Sequence, residues 1–364
     1  MKTKSAFLYS EKFADAIYGN THPMRPVRLA QTYELIKKHD LLNQTDSIEI
    51  AATKATEDDA RLIHTPEYVS ALKAVNDGTL DAMDEKDAAR FSLGAGDNPV
   101  FKNIFEWSLY STGASLQAAA LIKNKEAQTA FNIAGGLHHA MAAKASGFCY
   151  LNDAAVAIKK LVNSGKRVLY VDIDAHHGDG VEKAFYSTDK VLTVSLHENG
   201  FYLFPGTGFP EDMGEGSGKG YSINLPFPPG TGDELFVYGF DEIVPDAVDA
   251  FKPDVLVTQL GVDTFASDPL THLNLTTNGF EEMIRTFKSF DLPWIALGGG
   301  GYNLDNVKRA WTLAWAIMSG QESDKLDILR DAPLNSSASA RDEKQVDTAI
   351  NFLKKEVLPR IKGR

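Results

Sequence analysis

Between positions 168 and 180 the chain reads "VLYVDIDAHHGDG", an apolar run that ends in three aspartates and two histidines within eight positions. Carboxylates and imidazoles are ligands for divalent transition metals. Side chains alternate across an extended segment, so Asp172, Asp174 and His176 share one face if the strand geometry persists, and Asp174 and His176 can converge on one ion. Asp263, just after a second apolar run "DVLVTQLG", would add another carboxylate. Two carboxylates and one imidazole leave the fourth tetrahedral position open for water, which is a catalytic layout; a structural site fills all four, typically with cysteines. Taken singly, a D-x-H at a strand end is as well read as a pair of turn residues, a frequent use of Asp. The number of such groups that come together decides between the two.

More of them do. The run "AFNI" leads into "AGGLHHA", with His138 and His139 in tandem, and "IALGGGG" leads to Tyr302. Adjacent histidines are commonly just solvated. Here each could be oriented by a carboxylate, Asp172 for His138 and Asp179 for His139, the arrangement that fixes a tautomer and raises basicity. An imidazole so held beside an activated water is a general base. Four apolar runs thus end in polar groups, and in open α/β sheets ligands bind at the carboxyl ends of the strands.

The elements that must position these groups are legible as runs: 128 to 133, 167 to 174, 190 to 197, 254 to 261 and 293 to 299. Several are nearly continuous in Val, Ile and Leu, as in parallel strands covered on both faces, with helical patterns between them. The fold class expected is α/β, a three-layer αβα sandwich around a mainly parallel sheet. "TPEYVSALKAV" (65 to 75) predicts a helix with Thr65 as N-cap and Pro66 first inside it. Val346, Ile350, Leu353, Val357 and Ile361 form one apolar stripe of a docked carboxyl-terminal helix. Residues 76 to 99 read as a long, mostly solvated acidic loop. "GEGSGKGY" (214 to 221) imitates a phosphate loop, but the residues after it look extended, so no helix N-terminus is there to hold phosphate. No repeat or Pro/Ser-rich linker divides the chain, and residues 1–364 are expected to form one domain.

Composition narrows the function classes. Of 364 residues 43% are hydrophobic and 24% charged, an ordinary globular balance. Lys plus Arg number 37 against 49 Asp plus Glu, a formal net charge of −12. That gives no basic face for nucleic acid and repels acidic membranes. The one cysteine, Cys149, excludes an internal disulfide and reads as a small buried hydrophobe. The amino-terminal apolar stretch is too short for a signal peptide and no run could span a bilayer, so a cytoplasmic location is expected.

Together "GGLHHA", "ASGFCYLND", "YVDIDAHHGDGVEKAF", "SLHENGFYLFPGTG", "QLGVDTFASDP" and "GGGGYN" resemble the zinc-dependent histone deacetylase family. "AGGLHHAM" and "GTLDAMDEKD" look nearest its prokaryotic acetoin-utilisation branch. The resemblance implies an arginase/deacetylase-type fold and hydrolysis of acetyl-lysine to amine and acetate. It implies Zn²⁺, or Fe²⁺ in the cell, on Asp174, His176 and Asp263. His138 and His139 would be the acid/base pair, and Tyr302 the donor to the oxyanion. Phe148, Phe204, Gly147 and Leu270 would line an acyl-lysine tunnel, with Asp97 at its rim and Arg28 in a cavity beyond the metal. Without the family, Phe148 and Phe204 are core aromatics and Arg28 a surface charge. A structural K⁺ would sit near Asp172 with Ser195 and main-chain oxygens of Asp174, His176 and Leu196, and a second near Phe185, Thr188, Val191 and Tyr221. Position 137 is Leu where many eukaryotic members have Trp, which reshapes the inner cavity. Acetylpolyamines are the nearest rival substrates, suited to the acidic stretch 77 to 97. "DAHHGD" also echoes the metal motif of binuclear Mn²⁺ ureohydrolases, and an acyl-binding module without turnover is a third reading. Neither nucleic acid nor membrane is an expected partner, and the oligomeric state is not specified.

Overall fold

A computed structural model describes residues 4–42, 44–94, 96–334 and 338–362; residues 1–3 of the amino-terminal stretch lie outside them. Eight strands form one sheet: β1 (Lys4–Tyr9), β2 (Ser47–Ala51), β3 (Ala127–Asn132), β4 (Val168–Asp172), β5 (Val191–Glu198), β6 (Ser222–Phe227), β7 (Val255–Gln259) and β8 (Trp294–Leu297). All pair in parallel, in the order β2-β1-β3-β8-β7-β4-β5-β6. Every residue of β4, β5, β6, β7 and β8 is buried, the reason their sequences run apolar without alternation.

Two helical layers cover the sheet. Ile104–Lys123 packs with Asp153–Asn163 in one, and Val27–Lys38, Leu304–Ser319, Thr277–Ser289, Asp233–Phe251 and Ala340–Phe352 follow one another in the other. The expected three-layer αβα class is the one found. Among the described residues no helix is long and apolar enough to cross a membrane. The core is anchored by large rings: Trp315 is fully buried, packs on Phe7 with centroids 5.2 Å apart, and donates its indole N–H to the Leu41 carbonyl at 2.8 Å. Trp315→Ala is expected to lower unfolding stability by about 3–5 kcal/mol, measured as a shifted denaturant midpoint at constant slope.

The helix predicted at 65 to 75 is Pro66–Ala74, with the Thr65 hydroxyl accepting from the Tyr68 N–H. The five residues of the carboxyl-terminal stripe are all buried, but the α-helix stops at Phe352 and continues as a π turn (Leu353–Val357) and a 3-10 turn (Leu358–Arg360). Pro359, which has no N–H to give the preceding turn, lies in that irregular end. The stretch 76 to 99 is not only solvated loop. Asp84 caps a short helix, Glu85–Arg90, and Phe91 and Leu93 are buried beneath it. The segment at 214 to 221 holds a three-residue 3-10 turn and leads into β6, so no helix begins there.

Candidate functional site

The four central strands β3, β8, β7 and β4 all point their carboxyl ends one way. In chain order β3 is followed by β4, and β7 and β8 fill the gap between them later, which opens a crevice at that edge. Asp172 is the last residue of β4, in register with Ser195 on β5 and Gln259 on β7. Past it main-chain bonds continue from the Ile173 N–H to the Gln259 carbonyl and from the Glu198 N–H to the Ala175 carbonyl, and carboxylates take the N–H groups between and beyond them. Asp172 Oδ1 accepts from the Asp174 N–H at 3.1 Å, Asp174 Oδ1 from the His176 N–H at 3.0 Å, and Asp263 Oδ1 from the Ala175 N–H at 2.9 Å.

Asp174, His176 and Asp263 offer ligand atoms that all lie within 4.8 Å of one another, and all three residues are buried. His176 Nδ1 stands 3.1 Å from Asp174 Oδ1 and 3.0 Å from Asp263 Oδ2. Burial and the Asp174 charge push the Asp263 carboxyl up to about 7, whereas the neighbouring imidazoles overcome burial and hold Asp174 well below the carboxylate range. Two carboxylates crowded on one imidazole are a donor set for a divalent cation. Two glycines keep the space open. A Cβ on Gly300 would lie 2.0 Å from Asp263 Oδ2, and one on Gly261 2.1 Å from Asp174 Oδ2. Gly300 N–H and Gln259 Nε2 both donate to Asp174 Oδ2, at 2.7 and 2.6 Å.

The tandem histidines sit beside this cluster. His138 Nδ1 is 2.7 Å from Asp172 Oδ2, His139 Nδ1 is 2.7 Å from Asp179 Oδ1, and the two Nε2 atoms face each other at 2.9 Å. Their environments push them apart. Burial works against a charge on His138, but Asp172 and then Asp174 overrule it and raise its pKa to about 9. For His139 burial and the His138 charge win, and its pKa falls to about 4. Without a cation, then, the proton at neutral pH is favoured on His138 over His139.

Tyr302 follows a turn whose Gly299 and Gly301 have φ of +124° and +128°, a region that L side chains rarely adopt. Burial and the Asp263 and Asp174 charges raise the phenol well above its usual pKa, so it stays a donor. Asp268 accepts from the Tyr302 N–H at 2.7 Å and from the Leu270 N–H at 3.0 Å, tying the Tyr302 backbone to the segment that carries Leu270. Beneath the same turn Arg28 is buried, donating to the Gly301 and Gly299 carbonyls at 2.8 and 2.7 Å. Its isolated reading as a surface charge does not hold.

Outward from the cluster stand two phenyl rings. Phe204 lies 5.0 Å from the His139 ring and 6.4 Å from that of His176, and Phe148 lies 5.7 Å from that of Tyr302. Gly147 runs against them, since a Cβ there would touch the His139 ring at 2.4 Å and Phe204 at 2.9 Å. The carbonyl of exposed Asp97 is 3.3 Å from His22 Nε2, and the His22 ring packs on Phe148 at 4.6 Å. Of the other expected residues, Ser195 Oγ lies 2.8 Å from His197 Nδ1 and 3.4 Å from the Gly178 N–H, and Leu196 follows it in β5. Phe185 ends the helix Asp179–Phe185, Thr188 lies on the turn after it and Val191 opens β5, at the end of that strand away from the cluster, with Tyr221 on the neighbouring segment before β6. Cys149 is buried, and burial pushes its thiol up.

Sequence reasoning assigned nothing to several residues that shape the site. Gln259 and Asp268 brace Asp174 and Tyr302. Tyr170 donates to Asp172 Oδ2 at 2.6 Å. Asp153 takes the Gly136 and Leu137 N–H groups at 3.2 and 2.9 Å, fixing the turn before the histidines. Asn152 Nδ2 donates to the His138 and Ala140 carbonyls, both at 3.1 Å. The one signal for them was a polar residue at the end of a buried apolar run, as in "VLVTQ".

A family model described as "Histone deacetylase domain" matches residues 22–318. Histone deacetylase clr6 of Schizosaccharomyces pombe is 40% identical over 325 residues, 89% of this chain and 79% of that one. Human Histone deacetylase 1 is 39% identical over 316 residues, 87% of this chain and 64% of that protein. The crystal structure of an HDAC homolog from Aquifex aeolicus matches with a TM-score of 0.86 at 31% identity, covering 95% of this chain and 100% of its own. One of an HDAC homolog complexed with SAHA gives the same TM-score and identity over 96% of this chain and 100% of that one.

Proposed function

The chain belongs to the histone deacetylase family, and from that premise we propose how its own residues carry the reaction, the metal-dependent hydrolysis of acetyl-lysine to lysine and acetate. The observation that carries the reading is the convergence of Asp174, His176 and Asp263 beside a histidine pair with opposite proton affinities. The three would hold Zn²⁺, or Fe²⁺ in the cell. Bound there, the cation supplies Lewis acidity toward the acetyl carbonyl and the attacking water.

The rest falls to the protein. The substrate's lysine chain passes between Phe148 and Phe204, along Gly147 and Leu270, with Asp97 gripping its backbone at the rim. These walls exclude water and align the amide. His139, neutral and oriented by Asp179, takes the proton from the attacking water. Tyr302 donates its hydroxyl to the oxygen that gains charge, an interaction strongest in the transition state. His138, kept protonated by Asp172, supplies the proton that lets the amine leave. Arg28, under the Tyr302 turn, faces the acetate product. K⁺ would bind near Asp172, Ser195 and Leu196, and again near Phe185, Thr188, Val191 and Tyr221.

Asp268 is a positioning residue in this scheme. Asp268→Ala is expected to lower kcat about tenfold or more with a smaller rise in KM, because the phenol moves off its target and Leu270 loses an N–H partner while Phe148, Phe204 and Gly147 stay. Asp268→Asn, whose side-chain oxygen can still accept one of the two N–H bonds, should recover part of the loss.

Turnover of acetyl-lysine peptides and acetylspermidine, compared side by side by acetate release, tests the substrate class. Faster hydrolysis of acetylspermidine would move the assignment to polyamines, and no acetate from any substrate would sink the reaction. A binuclear ureohydrolase needs a second donor set; among the described residues one such group comes together. We propose that the chain belongs with the prokaryotic acetoin-utilisation branch, on "AGGLHHAM" and "GTLDAMDEKD", as one domain over residues 1–364, acting in the cytoplasm.

A further inference from the structure

Eight large hydrophobic side chains are exposed among the described residues, and three of them, Phe201, Tyr202 and Phe204, fall within four consecutive positions. Phe204 is accounted for by the tunnel wall. Phe201 is 80% and Tyr202 61% exposed, and the reaction as described uses neither. Exposed aromatics gathered in one place mark a contact surface more often than scattered ones do.

The loop that carries them is built to hold them still. Asn199 Oδ1 accepts from the Phe201 N–H at 2.9 Å, and the Asn199 carbonyl accepts from the Tyr202 and Leu203 N–H groups at 2.8 and 3.3 Å. Asn199 is itself tied to the sheet through its N–H, which donates to the Phe227 carbonyl at 2.8 Å. The loop closes on itself, since a Cβ on Gly200 would lie 2.8 Å from the Thr207 carbonyl oxygen. Phe201 leans on Phe209 with ring centroids 4.9 Å apart. Aromatic residues on a backbone fixed in this way lose less entropy when something covers them than residues on a loose loop do.

Their place says what covers them. Phe201 and Tyr202 are three and two residues from Phe204, so their Cα atoms lie within about 11 Å and about 7.5 Å of that wall's. A polypeptide whose acetyl-lysine fills the tunnel must lay its backbone across the mouth, advancing at most about 3.6 Å per residue. The side chains one or two positions from the lysine therefore reach this loop. A free acetylated polyamine carries no side chain to put there. We propose that Phe201 and Tyr202 form a ledge that receives an aromatic or aliphatic side chain adjacent to the acetyl-lysine, so that the enzyme selects acetylated polypeptide with an apolar neighbour. This rests on the deacetylase reading and deepens it.

The test uses the full-length, metal-loaded enzyme and its F201S/Y202S variant on acetyl-lysine peptides identical except for Gly, Leu or Phe in the two positions on either side of the lysine. The wild type should favour Leu or Phe over Gly by about fivefold or more in kcat/KM, mainly through KM, the size expected for partly burying one apolar side chain. In the variant that ratio should fall to near one. A ratio near one in the wild type, or an unchanged ratio in the variant, overturns the ledge while leaving the reaction intact. So does a change from dimer to monomer on substitution, seen by sedimentation, because the patch would then be covered by a second copy of the chain. No acetate from any peptide would remove the reaction, and the ledge with it.

Discussion

Tyr302→Phe is expected to lower kcat by about 10²- to 10³-fold, the loss typical of removing one preorganised oxyanion donor, while divalent metal content and thermal stability stay close to wild type. The change deletes one hydroxyl and keeps the ring that packs on Phe148 at 5.7 Å, so the packing of the proposed tunnel wall survives. It leaves Asp174, His176 and Asp263 untouched. Because burial and the nearby carboxylates keep the phenol protonated, its contribution should not titrate across the neutral range. KM should move little, since the hydroxyl acts most strongly on charge that appears only as the amide is attacked. A variant that turns over at the wild-type rate removes the oxyanion role. One that loses metal and turnover together would make Tyr302 a support of the metal cluster instead.

How much of this could be read from residues alone depends on where each signal sits. Continuous apolar runs announced β3, β4, β5, β7 and β8 because both faces of those strands are covered. β1 and β2 escaped notice: "KSAFLY" and "SIEIA" mix polar or charged residues into the run, and β2 is an edge strand with one buried residue in five. The helix Glu85–Arg90 was hidden by its charge, since its stability comes from the Asp84 cap and the covered Phe91 rather than from an apolar stripe. At the site, side-chain types and strand ends were enough to bring Asp174, His176 and Asp263 together and to pair Asp172 with His138 and Asp179 with His139. Gln259 and Asp268 were not legible. An amide at a strand end and an aspartate in a loop have many uses, and only the fold decides that these two face Asp174 and the Tyr302 backbone. The left-handed Phe148, at φ +69°, is likewise a product of tertiary packing.

Removing the divalent ion with a chelator should abolish acetate release, and Zn²⁺ should restore it; the same treatment should lower the melting temperature by an amount that grows between pH 6 and pH 8. The sign comes from the side chains themselves. Without a cation, burial and Asp174 place the Asp263 carboxyl at about 7, above its ordinary 3.8, and the two carboxylates overcome burial to hold a proton on His176 well above its ordinary 6.5. Between those ordinary values and the raised ones the folded chain binds more protons than the unfolded chain, so the stripped protein loses stability as pH rises through that window. Asp174 contributes in the opposite direction only at acid pH, below about 4. A cation needs Asp263 ionised and His176 neutral, so its affinity climbs through the same window. At a free concentration 100 times its Kd it adds about 2.7 kcal/mol to the folded state. Calorimetry of loaded and stripped protein at the two pH values, with metal content measured on each sample, decides it. An equal melting shift at both would mean that the ion does not displace these protons, and full activity in protein with far less than one metal per chain would take the cation out of the reaction.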